Sequence, residues 1–489
     1  MKLVVQNFGP IRSGEIDLSK RFYVFVGKNN SGKTYMAHLM WALFHTEYRA
    51  TAILKLLFRD KLRDTLQGQF DNNQLEITTE LIESILATFA DLLVSDSLAQ
   101  MMNVPKNHFI LQKTRIEFAI EGVWKRIEEK KYPKHIDPLL FNDKLYGSVS
   151  YHKPADSSII YIEKKLESKV DSAKAQENLN NNIEIFIFHY LMNIIFDDVI
   201  FISPFYLPAN RLFFPSFYAY IIKIERDKQK ELFRKAYEND DKDASDALLE
   251  WLSFVPYTLP SYQLIDALLS KIGTNTNGIA KAHQTYLNQL ESILGGKITI
   301  ERREGIAPPK FNLEMKRGKE SLAIHLASSS VNQLTTLYLY FKYWAKQKGN
   351  LLILDEPEEN LSIENQVKIT DLLIEFATKN NNRVLITTHS PSIAENTNNH
   401  IYLDLLRNES GKDVDAIIEE NGLDIRSDIA LPKEQVGAYY FDGKRIMDYQ
   451  DEYNYGIYFK NFVQSQDNIR RISNVLTDHI YTSKEAESE

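Results

Sequence analysis

The stretch Val24–Met40, VFVGKNNSGKTYMAHLM, decides the fold of this 489-residue chain. A short apolar run leads into Gly27, and apolar residues recur at helical spacing after Tyr35, so we predict a strand, a loop and a helix in that order. Gly27 and the run Gly32–Thr34 match the pattern G-x-x-x-x-G-K-[ST] at every fixed position. Such a loop curls so that successive N–H groups point at a phosphate. The stretch therefore predicts a phosphate site between a strand and a helix.

The side chains of this loop have predicted tasks at a nucleotide. The ammonium of Lys33 would reach the β- and γ-phosphate oxygens, and the hydroxyl of Thr34 would bind Mg²⁺. The first turn of the helix adds the positive end of its dipole. We therefore predict that ATP with Mg²⁺ binds to Gly27, Lys28, Asn29, Asn30, Ser31, Gly32, Lys33, Thr34 and Tyr35. The alternative is a chance match within an ordinary turn.

Composition limits the other possibilities. The net charge is -8 and the pI about 5.9, so the chain as a whole lacks the basic footprint of a nucleic-acid binder. There is no cysteine, which excludes disulfides and thiolate zinc sites and fits a reducing compartment. The first residues, MKLVVQNFGP, lack the apolar core of a signal peptide, and no run approaches the roughly 18 apolar residues of a membrane helix. We therefore expect a cytoplasmic protein without a membrane partner.

Two further polar clusters follow apolar runs far along the chain. LLILDEPEEN places four apolar residues before Asp355 and Glu356, and VLITTHSPSI ends a second run at His389. Ligands of open α/β sheets bind where the carboxyl ends of the strands meet. There Asp355 would hold Mg²⁺ through water, Glu356 would activate the attacking water, and His389 would contact the γ-phosphate. The structural alternatives are an exposed acidic turn and a histidine that only packs at a strand end.

The spacing of these motifs predicts a split domain. Asp355 follows Lys33 by 322 positions, whereas a whole domain typically has about 50–250 residues. Alternating strands and helices predict an α/β fold with a mainly parallel sheet, split by a large, mostly helical insertion. The predicted parts are an ATPase core of residues 1–45, 198–225 and 296–405, a mostly helical insertion of 46–197, a helical subdomain of 226–295, and a small C-terminal α/β extension of 406–489 for partner and oligomer contacts.

Local patterns predict individual elements. LVVQNF and FYVFVG read as strands around the turn GPIRSG, KLYGSVSYH and SIIYIEKKL as strands within the insertion, and GGKITIERRE with KFNLEMKRG as a hairpin. Helices are predicted over DASDALLEWLSFV, over YQLIDALLSKI, and from Asn332 over NQLTTLYLYFKYWAK.

The motifs together resemble those of ABC-type ATPases, in the branch that contains the SMC and RecF proteins and the overcoming-lysogenization-defect (OLD) family. The resemblance rests on NFGPI, GKNNSGKT, LLILDEPEENL and TTHSP, and YLPANR (Tyr206–Arg211) is similar to an element of defence-associated members. It covers about a quarter of the chain. It implies a P-loop ABC-type ATPase sheet with an AAA domain, and hydrolysis of ATP with Mg²⁺.

One segment departs from this family. ABC ATPases carry a signature such as LSGGQ, which contacts the γ-phosphate of ATP held by the other subunit, whereas the corresponding segment here reads HLASSSVNQL. Ser329 and Ser330 would supply hydroxyls to that phosphate, or else the serines only cap a helix. The resemblance thus implies a dimer, or a higher homo-oligomer, that sandwiches ATP. The residue of the family's Q-loop is not identified. Gln6 and Arg12 lie where this branch often approaches the base, and the alternative for each is an ordinary solvated side chain.

OLD nucleases continue into a Toprim domain, whose clustered carboxylates bind two metals. Here the chain after the switch strand is short, and DVD (Asp413–Asp415) has the spacing of a metal pair without a buried strand before it. The chain therefore resembles the ATPase subunits of the PARIS, Septu and retron anti-phage systems. That resemblance implies a slow ATPase acting as scaffold and sensor, which responds to a phage-derived trigger and controls a separate toxic effector, expected to be a nuclease.

The alternative is a RecF-like DNA-repair ATPase that clamps DNA. It requires a basic surface, for which VWKRIEEKKYPKH (Val123–His135) and the pair Arg302 and Arg303 are the best segments. Acidic residues are mixed into both, which favours ordinary solvated faces over a DNA-binding surface.

Overall fold

The structure is a computed structural model that describes residues 1–45, 74–120, 123–141, 144–166, 182–183, 185–187, 190–192, 194–196, 202–212, 258–270, 277–301, 310–316, 321–408, 413–449 and 456–486. Its strands are β1 Lys2–Phe8, β2 Ile11–Asp17, β3 Phe22–Gly27, β4 Gln74–Glu76, β5 Arg115–Ala119, β6 Tyr132–Phe141, β7 Lys144–Lys153, β8 Ile159–Leu166, β9 Ser203–Leu207, β10 Gly296–Glu301, β11 Lys310–Met315, β12 Ser321–Ala323, β13 Asn350–Asp355, β14 Arg383–Thr388, β15 Val436–Phe441 and β16 Ile446–Asp448.

Its helices are α1 Lys33–Phe44, α2 Thr79–Leu92, α3 Leu98–Met102, α4 His108–Leu111, α5 Val123–Glu129, α6 Leu259–Ser270, α7 Asn277–Ala282, α8 Gln284–Leu294, α9 Ser329–Leu339, α10 Ile363–Thr378, α11 Pro391–Asn408, α12 Val414–Glu420 and α13 Lys460–Ala486. Short 3-10 or π turns occupy Leu93–Ser97, Ala209–Leu212, Ile324–Leu326, Tyr340–Trp344 and Lys433–Gln435.

A six-stranded sheet forms the centre of the fold, with the strand order β16-β15-β3-β14-β13-β9. The strands from β15 to β9 are parallel to one another, and β16 runs antiparallel at one edge. Every residue of β3, β13 and β14 is buried, because successive side chains enter two hydrophobic clusters, one on each face of the sheet. The predicted α/β fold with a mainly parallel sheet is confirmed.

The described residues also form three smaller antiparallel sheets, with the orders β2-β1-β5, β4-β8-β7-β6 and β10-β11-β12. The predicted strands KLYGSVSYH and SIIYIEKKL are confirmed as β7 and β8, and the predicted hairpin as β10 and β11. The described part of residues 46–197 includes the strands β4 to β8 as well as the helices α2 to α5.

Two local predictions are wrong. GPIRSG is not one turn, because only Gly9 and Pro10 lie between paired strands: Phe8 faces Ile11, and the residues after Ile11 form β2. Helix α9 begins three residues before Asn332, because the Ser328 hydroxyl caps it by accepting a hydrogen bond from the Val331 N–H at 3.4 Å. The helix predicted over DASDALLEWLSFV lies outside the described residues.

The C-terminal segment adds two strands to the central sheet. β15 pairs with β3 in parallel, so that Phe441 lies opposite Gly27 in the register. The turn between β15 and β16 also reaches the N-terminal hairpin, where the Arg12 N–H donates to the Lys444 carbonyl at 2.6 Å. Residues 436–448 therefore form part of the frame around the predicted phosphate loop.

Candidate functional site

The phosphate loop connects the carboxyl end of β3 to the first residue of α1. A Cβ on Gly27 would lie 2.3 Å from the carbonyl oxygen of Phe441, and Gly32 has a φ of 103° with Ile11 beside it. Only glycine fits at these two positions, because a side chain would meet β15 at one and strain the backbone at the other. The loop residues 28–30 are exposed and Ser31 is buried. The geometry is that of a phosphate cradle at a helix N-terminus.

Lys33 lies across this cradle with only 6% of its surface exposed. Its Nζ donates to the carbonyls of Gly27 and Lys28 at 3.0 Å each, and contacts Nε2 of His389 at 2.9 Å. Burial lowers the pKa of Lys33, and the nearby carboxylates of Glu356 and Asp355 oppose that shift. A buried ammonium that contacts neutral acceptors is a strong site for an anion.

Asp355 ends β13 and accepts three side-chain hydrogen bonds. Its Oδ2 accepts from the hydroxyl of Tyr206 at 2.5 Å and from that of Thr34 at 3.3 Å, and its Oδ1 accepts from Thr387 at 2.8 Å. These bonds fix the carboxylate, which is 4% exposed, against the start of α1. Thr34 and Asp355 are oxygen donors of the kind that Mg²⁺ takes from proteins, which normally supply one or two ligands beside the phosphates. The residues therefore fit the predicted Mg²⁺ site.

Glu356 follows in a left-handed backbone conformation with a φ of 46°. Its N–H donates to the carbonyl of Thr387 at 3.0 Å, which ties the residue to the end of the neighbouring strand β14. Burial and the adjacent Asp355 raise the pKa of the Glu356 carboxyl, so it is a stronger base than an ordinary carboxylate. A non-glycine residue in this conformation is uncommon and costs about 1–3 kcal/mol, which is typical of functional sites.

His389 follows the end of β14 and faces both Lys33 and Glu356. Because an ammonium only donates, Nε2 of His389 accepts from Lys33 and the ring proton lies on Nδ1. Burial and the charge of Lys33 lower the pKa of His389, which keeps the ring neutral at pH 7. Its backbone N–H donates to Oε1 of Glu358 at 2.6 Å, and Nε2 lies 3.7 Å from Oε1 of Glu356. The imidazole is thus held between the predicted base and the predicted phosphate ligand.

A cavity of about 730 Å³ opens over these groups. It is lined by Pro10, Asn29, Asn30, Ser31, Gly32, Lys33, Thr34, Tyr35, His38, Met102, Thr258, Glu356 and His389. Three distant parts of the sequence therefore meet at the carboxyl ends of the parallel strands. This meeting was expected, because each part follows a predicted strand. Tyr35 supports the wall by packing edge-on against Phe8, with the ring centroids 5.7 Å apart.

The serine segment lies apart from this cavity in the described chain. Ser329 and Ser330 are in the first turn of α9, and Ser330 shares a hydrogen bond of 2.8 Å with the capping Ser328. Ser328 and Ser329 are exposed. Neither predicted serine lines the cavity among the described residues. Their predicted contact with a nucleotide on a second subunit stays a prediction.

Other predicted residues have defined places. Gln6 lies in β1 opposite Ser13, and Asp413 caps α12 by accepting from the Ala416 N–H at 3.1 Å. In the segment Val123–His135, Lys125 lies 3.7 Å from Glu129. Such pairing is typical of a solvated face. Arg302 and Arg303 lie outside the described residues.

Sequence reasoning gave no role to two residues of YLPANR that contact the site directly. Tyr206 binds Asp355, and the guanidinium of Arg211 donates to the backbone carbonyl of Asp355 at 2.6 Å. Thr387, which bonds the same aspartate, was also not predicted. The available signal was a polar motif directly after the buried strand β9, which pairs with β13.

Helices that are long and apolar enough to cross a membrane do not occur in the part of the chain that the structure describes.

Comparison with known proteins identifies the family to which this chain is similar. A family model described as the AAA ATPase domain matches residues 1–394. None of the curated proteins matches the chain.

Solved structures of SMC heads are similar at low identity. The SMC head bound to the C-winged helix domain of ScpA shares 14% identity, over 81% of this chain and 90% of that one, with a TM-score of 0.31. An SMC head with an extended coiled coil, bound to the C-terminal domain of ScpA and derived from Pyrococcus furiosus, shares 13% over 96% and 98%, with a TM-score of 0.31. The SMC head domain from Thermotoga maritima shares 12% over 81% and 90%, with a TM-score of 0.27.

Proposed function

This chain belongs to the AAA ATPase domain family, and we propose that it binds ATP with Mg²⁺ and hydrolyses it slowly, in a site shared by two copies of the chain. The proposal rests on the convergence of Lys33, Asp355, Glu356 and His389 at one sheet edge. Lys33 would bind the β- and γ-phosphates, while Thr34 and Asp355 would hold the metal. Bound Mg²⁺ would neutralise phosphate charge.

The chemistry proposed for this chain is the displacement of ADP from the γ-phosphorus by water. Glu356 accepts a proton from the attacking water as the bond from oxygen to the γ-phosphorus forms and the bond to the β,γ-bridging oxygen breaks. The raised pKa of Glu356 favours that proton transfer. His389 would donate its single ring N–H to an oxygen of the γ-phosphate, since a neutral imidazole has one donor. Lys33 stabilises the charge that develops on the leaving ADP.

Dimerisation is proposed because the serine segment that would contact the γ-phosphate does not line this cavity among the described residues, so a second copy would have to supply it. The exposed N-terminus of α9, with the serines 328–330, presents N–H and hydroxyl donors that suit such a phosphate on a second copy. Hydrolysis would then be slow at low protein concentration, since the second copy completes the site.

The test of the ATPase is the change Glu356→Gln. The amide cannot accept the proton, so the rate of phosphate release should fall at least about a hundredfold, while binding of ATP is retained and ATP-bound dimers accumulate. Phosphate release and sedimentation with ATP measure the two effects. Glu395→Gln, an exposed glutamate on α11, is the matched control and should change neither. Wild-type hydrolysis in Glu356→Gln would exclude this residue as the base.

The dimer itself is tested by adding Ser329→Glu to the Glu356→Gln variant. A carboxylate at the start of α9 would repel a γ-phosphate on the second copy, so ATP should no longer produce dimers. Ser84→Glu, at an exposed position of α2, is the control. Dimers that persist with Ser329→Glu would show that α9 does not face the nucleotide.

We further propose a biological setting, on the basis of the sequence resemblance alone. The chain would be a homo-oligomeric scaffold and sensor in an anti-phage complex, where ATP-dependent closure holds or releases a separate effector, expected to be a nuclease, when a phage component appears. Isolation of the native complex from cells, with and without phage, tests this setting. The expected result is a co-purifying nuclease whose association changes on infection, and its absence in both conditions would overturn the proposal.

A further inference from the structure

The turn Ala209–Leu212 lies beside the catalytic edge of the sheet. β9 and β13 run in parallel with Leu207 opposite Leu354, so the chain leaves β9 where Asp355 ends β13. Arg211 then points back toward β13. Its Nη1 donates to the carbonyls of Asp355 and Pro208 at 2.6 and 3.0 Å, and its Nη2 donates to the carbonyl of Glu356 at 3.3 Å.

Arg211 is 1% exposed, although its bonding partners are carbonyl oxygens. Burial lowers its pKa to about 10, so the side chain remains charged at pH 7. A buried charge is costly, and a well-packed apolar residue often gives equal or greater stability. An arginine at this position therefore needs an explanation beyond stability.

The backbone of Glu356 supplies that explanation. Glu356 adopts its left-handed conformation directly after the last residue of β13, and there Arg211 donates to the carbonyls of both Asp355 and Glu356. The planar guanidinium has a fork of donors that reaches two neighbouring carbonyls at once, which a lysine ammonium does not match. Arg211 thus holds the peptide between the predicted metal ligand and the predicted base in the conformation that points Glu356 into the cavity.

The same turn contacts the serine-capped helix. Gln333 lies one turn beyond Ser329 on α9 and is fully buried. Its Nε2 donates to the carbonyl of Ala209 and to Oε2 of Glu359, both at 3.2 Å. Glu359 lies in the tight turn that follows Glu356, where its N–H donates to the Glu356 carbonyl at 3.2 Å. A displacement of α9 would therefore change the position of Glu356 in two ways. One is through Ala209 and the turn that holds Arg211, and the other is through Glu359.

We propose that Arg211 is a positioning residue for Glu356, and that Gln333 links it to the helix whose N-terminus would face the nucleotide of a second copy. Docking of α9 on that nucleotide would then set the backbone of Glu356, so that hydrolysis depends on assembly. This proposal rests on the proposed ATPase function.

The test compares two buried arginines, Arg211 in the turn after β9 and Arg383 in β14. Arg211→Lys should lower kcat by about ten- to a hundredfold, since small displacements of a catalytic group have effects of this size, and should leave the Kd for ATP unchanged. Arg383 starts β14 at the opposite edge of the sheet, is 5% exposed, and donates to the Leu18 carbonyl at 2.6 Å. Arg383→Lys should lower the unfolding temperature but leave kcat of the folded protein near the wild-type value.

The link through Gln333 is tested by a double-mutant cycle on kcat. Gln333→Met keeps the volume but removes the donor, and should lower kcat less than Arg211→Lys does. The combined variant should resemble Arg211→Lys alone, because both changes act through one turn. If the reductions of kcat in the two single variants are fully additive in the combined variant, Gln333 does not act through Arg211.

The outcomes separate this proposal from the function on which it rests. An active wild-type chain with equal kcat in Arg211→Lys, or with equal losses in Arg211→Lys and Arg383→Lys, would overturn the positioning role alone. A wild-type chain that binds ATP but never releases phosphate, as a dimer or otherwise, would overturn the proposed function and the positioning role with it.

Discussion

A neutral amide pair at the amino ends of the parallel strands (the amino edge) contrasts with a charged cluster at their carboxyl ends (the carboxyl edge). At the amino edge, Asn350 and Asn382 form a neutral pair: Asn382 Oδ1 accepts from the backbone N–H and the Nδ2 of Asn350 at 3.1 and 2.8 Å. At the carboxyl edge, Lys33 and Glu356 are charged groups with shifted pKa values, and Glu356 also has a strained backbone. Neutral amide pairs stabilise a fold, whereas crowded charges and strain are retained where a ligand resolves them.

The charged groups at the carboxyl edge have shifted pKa values. Burial lowers the pKa of Lys33 and His389 and raises that of Glu356, all within one cavity. Titratable groups whose environments shift their pKa values in opposite directions are typical of catalytic sites. If the amino edge is structural and the carboxyl edge functional, substitutions at the two edges should affect different measurements.

The largest expected effect is on nucleotide binding by Lys33→Ala. Loss of the charge that contacts the phosphates should weaken ATP binding by about a hundredfold, which corresponds to the energy of a charge-assisted hydrogen bond. Lys346→Ala, an exposed lysine near the amino end of β13, should bind ATP like the wild type. Calorimetry with a non-hydrolysable analogue measures both. Equal affinity of Lys33→Ala and wild type would disprove the assignment of the phosphate loop.

A smaller effect, on stability rather than binding, is expected at the amino edge. Asn382→Ala removes the acceptor of Asn350 and the bond from Asn382 Nδ2 to the Phe376 carbonyl at 3.2 Å. Buried groups left without partners should lower the free energy of unfolding by about 1–3 kcal/mol. Denaturant unfolding measures this loss, and the Kd for ATP of the folded variant should not change. If Asn382→Ala changes the Kd for ATP but not the stability, the amino edge is not purely structural and the comparison between the two edges is wrong.

The smallest expected effect is a pH-dependent gain in stability from Glu356→Gln without nucleotide. The folded pKa of Glu356 is raised, so the folded state binds a proton more tightly than the unfolded state. Stability of the wild type is therefore lost as the pH rises from the unfolded pKa, about 4.5, through the raised folded pKa. Glutamine removes this loss.

The gain of Glu356→Gln over wild type should be absent below about pH 4.5 and present at pH 7. It should stay under about 1 kcal/mol, because the side chain is partly exposed to solvent. Thermal unfolding at a series of pH values measures it, with Glu395→Gln as the reference for an exposed glutamate. A gain that is greatest at low pH would contradict the sign of the shift.

Local patterns were sufficient for much of the site. The glycine spacing around Lys33 and the apolar runs before Asp355 and His389 predicted three strand ends, and the rule for parallel sheets predicted that they meet. The structure brings these residues together as expected. Corresponding patterns failed at GPIRSG, where a polar sequence continues as β2 because its partners β1 and the β15–β16 turn hold it.

The sequence by itself thus determined the glycine-rich loop after β3, the parallel sheet and the place of the carboxylates after β13, since each depends on neighbouring residues and periodicity. Only the tertiary structure decided that Glu356 has a left-handed backbone, that Arg211 and Tyr206 hold Asp355, and that β15 lies against Gly27. The contacts of Arg211, Tyr206 and β15 join segments that are 144 to 414 positions apart. Their energies come from burial and hydrogen bonds between those segments, and no local pattern records which distant strand will be the neighbour.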